Sequence, residues 1–148
     1  MDELLPSVWN LFHDGSVDSV AGSVPGIVTI EVSIPYLRER ISEPGQTFTV
    51  TLHNCTRFVY RDYDNEDFSD DFGRIADARP GILSASMKGE TCVVHGDCGV
   101  FEMVAADGSL SVNGKLLLLS DLFQVATSYW EDWKAKSQND MKSDSNEK

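Results

Sequence analysis

Two stretches of the sequence alternate apolar and polar residues with a period of two. The first covers residues 28–34, VTIEVSI, and the second covers residues 46–53, QTFTVTLH. An alternation of this kind turns one apolar face inward and one polar face to solvent, so each stretch predicts a half-buried strand. The polar face of the second stretch carries three threonines, whose β-branching favours extended backbone. A fold for this chain must therefore contain a sheet with at least one solvated face.

Short turn sequences separate these and other strand-like segments. The turns are Pro25-Gly26, Pro44-Gly45, Lys88-Gly89-Glu90, Gly96-Asp97, Asp107-Gly108 and Asn113-Gly114. Asp107-Gly108 and Asn113-Gly114 are hairpin dipeptides, and we expect each to join two adjacent strands. Connections this short cannot make parallel crossovers, so the sequence predicts seven to nine strands in mostly antiparallel sheets.

Helical spacing of apolar residues occurs at both ends of the chain. It runs over residues 4–12, and Gly15 follows as a stop signal. It occurs again over residues 119–133, where Ser120 is the N-cap candidate. We expect the second helix to end near Lys136, because residues 138–148 are polar and nearly without apolar side chains. The predicted fold is α+β, a mostly antiparallel β-sheet (sandwich or open barrel) with an N-terminal and a C-terminal helix. Residues 1–136 form one globular domain, and residues 137–148 form a flexible polar tail.

The charge balance restricts the partners of the protein. The 148 residues include 24 Asp and Glu against 12 Lys and Arg, a formal net charge of −12. An acidic surface repels nucleic acid and anionic membranes and attracts basic partners. We therefore expect the protein to bind neither nucleic acid nor a membrane. The N-terminus has no basic region and no long apolar run, and the three cysteines are an odd number. These features predict a cytoplasmic protein.

Residues 62–71, DYDNEDFSDD, hold six acids in ten positions and interleave two aromatic residues. Asp62, Asp64 and Glu66 match the first positions of an EF-hand loop, but Asp67 replaces the required glycine and Gly73 replaces the terminal glutamate. We therefore expect no calcium site. The segment is either a solvated loop or a recognition surface that combines steering charge with aromatic anchors. In the second case, the partner-binding residues are Tyr60, Asp62, Tyr63, Asp64, Glu66, Asp67, Phe68, Asp70 and Asp71.

Other residue types that carry chemistry give weaker patterns. Cys92, His95 and Cys98 have zinc-ligand chemistry, yet an extended strand would turn Cys92 and His95 to opposite faces. His13-Asp14 is better explained as a tie between a helix end and the sheet than as a catalytic pair. We predict no catalytic residue, no metal site and no cofactor. The aromatic stripe at Tyr129, Trp130 and Trp133 is either core or an exposed binding patch.

The N-terminal residues 9–15, WNLFHDG, resemble the start of small bacterial immunity proteins, which are encoded beside polymorphic or contact-delivered toxins. The strand pair around Pro25-Gly26 and the dipeptide Tyr129-Trp130 extend the resemblance in outline. It implies a non-enzymatic binder of a basic, toxin-like protein, which agrees with the acidity of the chain.

Three hypotheses for the function follow. The leading one is an acidic, immunity-type inhibitor that occludes a basic toxin or nuclease. The second is a small-ligand-binding or enzymatic β-rich domain with a pocket inside the sheet, near His13, His53 or His95. The third is a structural or adaptor subunit. The sequence indicates no oligomeric state.

Overall fold

A computed structural model describes residues 5–41, 45 and 47–146 of the chain, with side chains up to residue 136. The predicted turn at Pro44-Gly45 lies mostly outside these residues. The described part contains four helices and nine strands. In chain order they are α1 Ser7–Leu11, β1 Ser16–Gly22, β2 Gly26–Ser33, α2 Pro35–Arg38, β3 Thr47–Cys55, β4 Arg57–Asp62, α3 Phe72–Ala78, β5 Ser84–Lys88, β6 Thr91–His95, β7 Gly99–Val104, β8 Asp107–Val112, β9 Lys115–Leu117 and α4 Leu119–Asn146.

The strands form two sheets, and every pairing between named strands is antiparallel. The larger sheet has the order β1-β2-β3-β8-β9, and the smaller sheet has the order β4-β7-β6-β5. Within the described residues the sheets do not close into a barrel. The predicted α+β class, with antiparallel sheets between a first and a last helix, is confirmed.

The two sheets are joined where two long strands bend together. The chain passes from β3 to β4 at Thr56 and from β7 to β8 at Ala105 and Ala106. At this corner the amide of Thr56 donates to the carbonyl of Val104 at 2.8 Å, and the amide of Ala106 donates to that of His53 at 3.1 Å. The chain from β3 to β4 has one more residue at the corner than the chain from β7 to β8, since His53 pairs with Asp107 and Arg57 pairs with Val104. Such a bulge leaves the extra residue unpaired, disrupts the ladder locally and bends the strands.

One hydrophobic core lies under both sheets. The alternating residues of β2 and β3 turn inward as the sequence predicts: Val28, Ile30, Val32, Phe48, Val50 and Leu52 are all fully buried. Phe12, the C-cap of α1, adds a ring whose centroid lies 5.2 Å from that of Phe48. The same cluster includes residues of the smaller sheet and of α3 and α4. The burial of both sheets in one cluster makes the described strands a single packed unit.

The two predicted hairpin dipeptides differ in outcome. Asn113-Gly114 joins β8 to β9 with positive φ at both residues, 53° and 79°, so that prediction is confirmed. The prediction for Asp107-Gly108 is wrong, because both residues lie inside β8. Gly108 pairs with Leu52 of β3, since the chain has already changed sheets at Ala105 and Ala106.

The last helix is longer than the sequence pattern predicts. It continues to Asn146, so the predicted end near Lys136 is wrong. Residues 137–146 contain no proline or glycine, and nothing in their sequence stops a helix. The division into a globular domain and a flexible tail stays a prediction. Two short helices, α2 and α3, were not predicted.

The side chain of Asn10 covers the free edge of β5. Its Nδ2 donates to the carbonyl of Ala85 at 3.0 Å, and the amide of Ala85 donates to its Oδ1 at 2.8 Å. One amide side chain therefore satisfies both backbone groups of an edge residue that could otherwise pair with another chain. These bonds also hold α1 against the smaller sheet.

We predict that Asn10→Ala lowers the free energy of unfolding by about 1–3 kcal/mol, because two hydrogen bonds are lost at one edge. Denaturant unfolding measures the change. Ser7→Ala is the control, since Ser7 is exposed on the same helix and makes no capping bond; its effect should stay within about 0.5 kcal/mol. Equal stability of the two variants would show that the bonds to Ala85 contribute nothing.

Candidate functional site

Residues 62–71, here called the acidic segment, are folded back against the open edge of β4. The amide of Tyr60 donates to the carbonyl of Ser69 at 2.9 Å, and the amide of Ser69 donates to that of Tyr60 at 2.7 Å. The amide of Tyr63 donates to the carbonyl of Cys98 at 2.9 Å. Backbone hydrogen bonds therefore hold the acidic segment near both of its ends. The segment also covers the open edge of the smaller sheet.

Helix α3 anchors the end of the acidic segment. Asp71 is its N-cap, and one carboxylate oxygen accepts from the amide of Arg74 at 3.2 Å. A carboxylate here is favourable because it satisfies a free amide near the positive end of the helix dipole. Ile75 buries its side chain in the core. The sequence carried a signal for this helix, an N-cap residue followed by Phe72 and Ile75 at helical spacing.

An open depression of about 520 Å³ lies between the acidic segment, the end of β4 and α3. Five of the six acids of the segment line it, and Asp64 does not. Arg74 is the one basic residue among the described residues that line it. The remaining lining is Tyr60, Asn65, Phe68, Ser69, Ile75 and Ala78. The depression is therefore a strongly acidic concavity with an apolar wall.

No ion pair among the described side chains neutralises a carboxylate of the acidic segment. The two ion pairs among described side chains join Arg40 to Asp132 and Arg57 to Glu102, both outside the segment. Two arginines do lie near it, with the guanidinium carbons of Arg57 and Arg61 at 5.4 and 5.5 Å from the ring centroid of Phe68. Six acids in ten residues therefore produce a concentrated negative potential at this surface.

The three aromatic residues that the sequence placed at this surface have different surroundings. Tyr63 is 51% exposed, and its hydroxyl donates to the carbonyl of Gly96 at 3.0 Å. Phe68 is 36% exposed and lies beneath two guanidinium groups. Tyr60 is only 4% exposed. Tyr63 thus presents a fixed ring to solvent, whereas Phe68 is partly covered and Tyr60 belongs to the floor.

The hydroxyl of Tyr60 is buried beside the Asp62 carboxylate, and it makes no hydrogen bond of good geometry among the described residues. The indole nitrogen of Trp9, under α1, is the other such side-chain atom in that part of the chain. Burial raises the pKa of Tyr60, and the Asp62 carboxylate raises it further because the hydroxyl is close enough to donate to it. Gly99 lies across the hydroxyl, and a Cβ there would overlap Tyr60 and the carbonyl of Arg61. No pattern in the sequence indicates this buried hydroxyl.

The structure separates the residues of the candidate zinc site. Cys92 is buried in β6, whereas His95 and Cys98 are exposed. Burial raises the pKa of the Cys92 thiol to about 12, which disfavours the thiolate that a metal requires. All three cysteines are free thiols. Among the residues with described side chains, no group of three His, Cys, Asp or Glu is placed to hold a metal ion.

The aromatic stripe of α4 is divided between packing and exposure. Trp130 stacks on His13 with centroids 5.5 Å apart, and Tyr129 packs on Tyr36 at 4.7 Å. The hydroxyl of Tyr36 donates to the carbonyl of His13 at 2.7 Å, which ties α1 to α2. Trp133 is 52% exposed. His13 therefore packs against α4 and accepts a hydrogen bond from α2, whereas the sequence pattern indicated a tie between the helix end and the sheet.

Comparison with known proteins assigns no family to this chain. No protein-family model and no curated protein matches the chain. One similar solved structure is that of an uncharacterized protein from Neisseria gonorrhoeae, with 13% identity and a TM-score of 0.38 over 68% of this chain and 93% of that one. A likeness at this level carries neither fold nor function to this chain. None of the described helices is long and apolar enough to cross a membrane.

The exposed thiol of Cys98 lies next to Asp97 and also responds to charges of the acidic segment. Asp97 raises the pKa of this thiol above its ordinary value, and Asp62 and Asp64 also raise it. The thiolate is the species that reacts with alkylating reagents. A raised pKa leaves less thiolate at a given pH, so it slows alkylation below that pKa.

We predict that the pH–rate profile of Cys98 alkylation by neutral iodoacetamide gives a pKa above that of an ordinary cysteine. The pKa should fall in Asp64→Asn, which removes one contributing charge, and it should fall with added salt, which screens the others. Cys55 and Cys92 are buried and should stay unmodified in the folded protein. An ordinary pKa that ignores both changes would contradict a strong negative potential at this surface.

Proposed function

We propose that this protein is a non-enzymatic binding protein that recognises a basic protein partner through its acidic segment. We further propose an immunity-type inhibitor that acts in the cytoplasm and occludes a basic toxin or nuclease. The observation that carries the proposal is a set of six carboxylates on backbone held by hydrogen bonds, with no ion pair to them among the described side chains.

Fixed, unneutralised charge favours association in two ways. Its potential extends over roughly 10 Å at moderate salt, so it steers a basic partner before contact. Because the Tyr60–Ser69 pairing and the Asp71 cap already order the backbone, binding loses less conformational entropy than it would with a free loop. A solvated loop without a role would need neither feature.

The exposed ring of Tyr63 supplies apolar area that a partner can bury on contact. Its hydroxyl bond to Gly96 holds the ring in place, so a partner can bury it without ordering it first. Phe68 contributes less free area because Arg57 and Arg61 lie over it. The charges therefore govern the association rate constant, and burial of Tyr63 governs the dissociation rate constant.

The charge prediction uses a fourfold variant and a matched control. Neutralising four segment acids should slow association with the basic partner about tenfold or more and flatten its salt dependence. The test variant is Asp64→Asn, Glu66→Gln, Asp67→Asn and Asp70→Asn. The control makes the same charge change at exposed acids elsewhere: Glu39→Gln, Glu90→Gln, Asp121→Asn and Glu131→Gln.

Stopped-flow association across a salt series measures both effects, and circular dichroism confirms that each variant is folded. The partner is sought first as the product of the neighbouring gene. Equal slowing by the test and control variants would mean that only net charge matters. That result would contradict recognition by the segment.

The aromatic prediction concerns dissociation. Tyr63→Ala should speed dissociation by the equivalent of about 1–3 kcal/mol, because a buried hot-spot ring is lost, while association stays nearly unchanged. Phe68→Ala should have the smaller effect of the two. Surface plasmon resonance gives both rate constants, and an unchanged dissociation rate in Tyr63→Ala would remove this ring from the interface.

A further inference from the structure

The free edge of β9 differs from the other three sheet edges. Residues 80–82 pair beside β1, Ser69 pairs with the edge of β4, and Asn10 covers that of β5. Strand β9 pairs with β8 on one side, and no backbone hydrogen bond joins its other side to a described residue. An open edge of this kind is a template for pairing with another strand.

The register of the last hairpin determines which backbone groups of β9 are open. Val112 and Lys115 flank the two-residue turn at Asn113-Gly114, and a hydrogen bond between the flanking residues closes a turn of this kind. Hydrogen-bonded and non-hydrogen-bonded pairs alternate along an antiparallel ladder. Leu116 is the next residue and pairs with Ser111, so its amide and carbonyl point away from β8.

The side chains at this edge are apolar and exposed to solvent. Leu116 is 71% exposed, and Leu118, which follows the strand, is 57% exposed. Residues 108–120 carry a single charged side chain, that of Lys115, although the whole chain has a net charge of −12. A basic partner therefore gains no electrostatic attraction at this edge. The edge suits an apolar strand with little charge.

A second copy of this chain supplies a strand with these properties. When two β9 strands run antiparallel about a two-fold axis, Leu116 of one copy lies opposite Leu116 of the other. The two residues then exchange both of their N–H···O=C hydrogen bonds, so the edge is complementary to itself. The pairing joins the two five-stranded sheets into one continuous sheet.

We propose that this protein forms a two-fold dimer through antiparallel pairing of β9, with Leu116 and Leu118 buried between the copies. The inference goes beyond the proposed function and does not depend on it, because β9 lies outside the acidic segment. The strand has three residues, and stable interfaces bury about 1,200 Å² or more, so the dimer is a weak one. Its dissociation constant is on the order of 10–100 μM.

Sedimentation equilibrium of the full-length chain, at concentrations up to about 1 mM, measures the dimer. Leu116→Lys should weaken it about tenfold or more, because two ammonium groups would face each other across the two-fold axis. Leu83→Lys is the matched control, since Leu83 is also exposed but lies between α3 and β5. It should leave the dissociation constant nearly unchanged. A chain that stays monomeric throughout, or equal weakening by the two variants, would overturn the proposal.

The pairing register is tested by cross-linking through one introduced thiol. Leu116→Cys, combined with Cys98→Ser, should give a covalent dimer with a short bis-maleimide, because position 116 lies opposite itself with Cα atoms about 5.5 Å apart. Cys55 and Cys92 are buried and should not react in the folded protein. Leu83→Cys in the same background should stay monomeric. Equal yields at positions 116 and 83 would mean that the copies meet only by random collision, which would contradict the register.

A salt series separates this dimer from association at the acidic segment. Each copy has a net charge of −12, so added salt screens the repulsion between copies and should strengthen the dimer. Association of a basic partner with the acidic segment should weaken with salt instead. A dimer that weakens as salt is added would be held by opposite charges, and that result would overturn pairing through an apolar edge.

Discussion

The structure depends on backbone pairing that continues around one corner. Two bent strand pairs, β3 with β8 and β4 with β7, carry the chain from one sheet into the other, and the hydrogen bonds of Thr56 and Ala106 keep them paired through the bend. Because these hydrogen bonds hold the two strand pairs together at the corner, both sheets bury their apolar faces in one core. Strand β4 lies at the edge of the smaller sheet. The acidic segment can pair with β4 because that edge is open.

The acidic segment combines high charge density with an ordered backbone, two properties that oppose each other. Repulsion among its carboxylates favours an extended, solvated loop. The Tyr60–Ser69 pair, the Tyr63–Cys98 bond and the Asp71 cap offset that repulsion and hold the charges together. The depression that results is lined by five of the six carboxylates of the segment.

Sequence patterns were sufficient where the information is local. Alternation in β2 and β3 predicted which side chains are buried, and Asn113-Gly114 predicted its hairpin because both φ angles are positive there. They failed where the answer depends on distant pairing. Asp107-Gly108 is as good a turn signal, yet Gly108 lies opposite Leu52 in the other sheet. Local charge likewise located the acidic segment, but the burial of Tyr60 and the cover over Phe68 arise only in the folded chain.

Hydrogen–deuterium exchange of the protein, free and with the proposed basic partner, tests whether the acidic segment is the recognition surface. It locates the contact surface without presupposing which residues matter. The account predicts slowed exchange in residues 62–71 and at the start of α3, with the exposed face of α4 around Trp133 unchanged. Protection confined to α4, with the acidic segment exchanging as in the free protein, would contradict it.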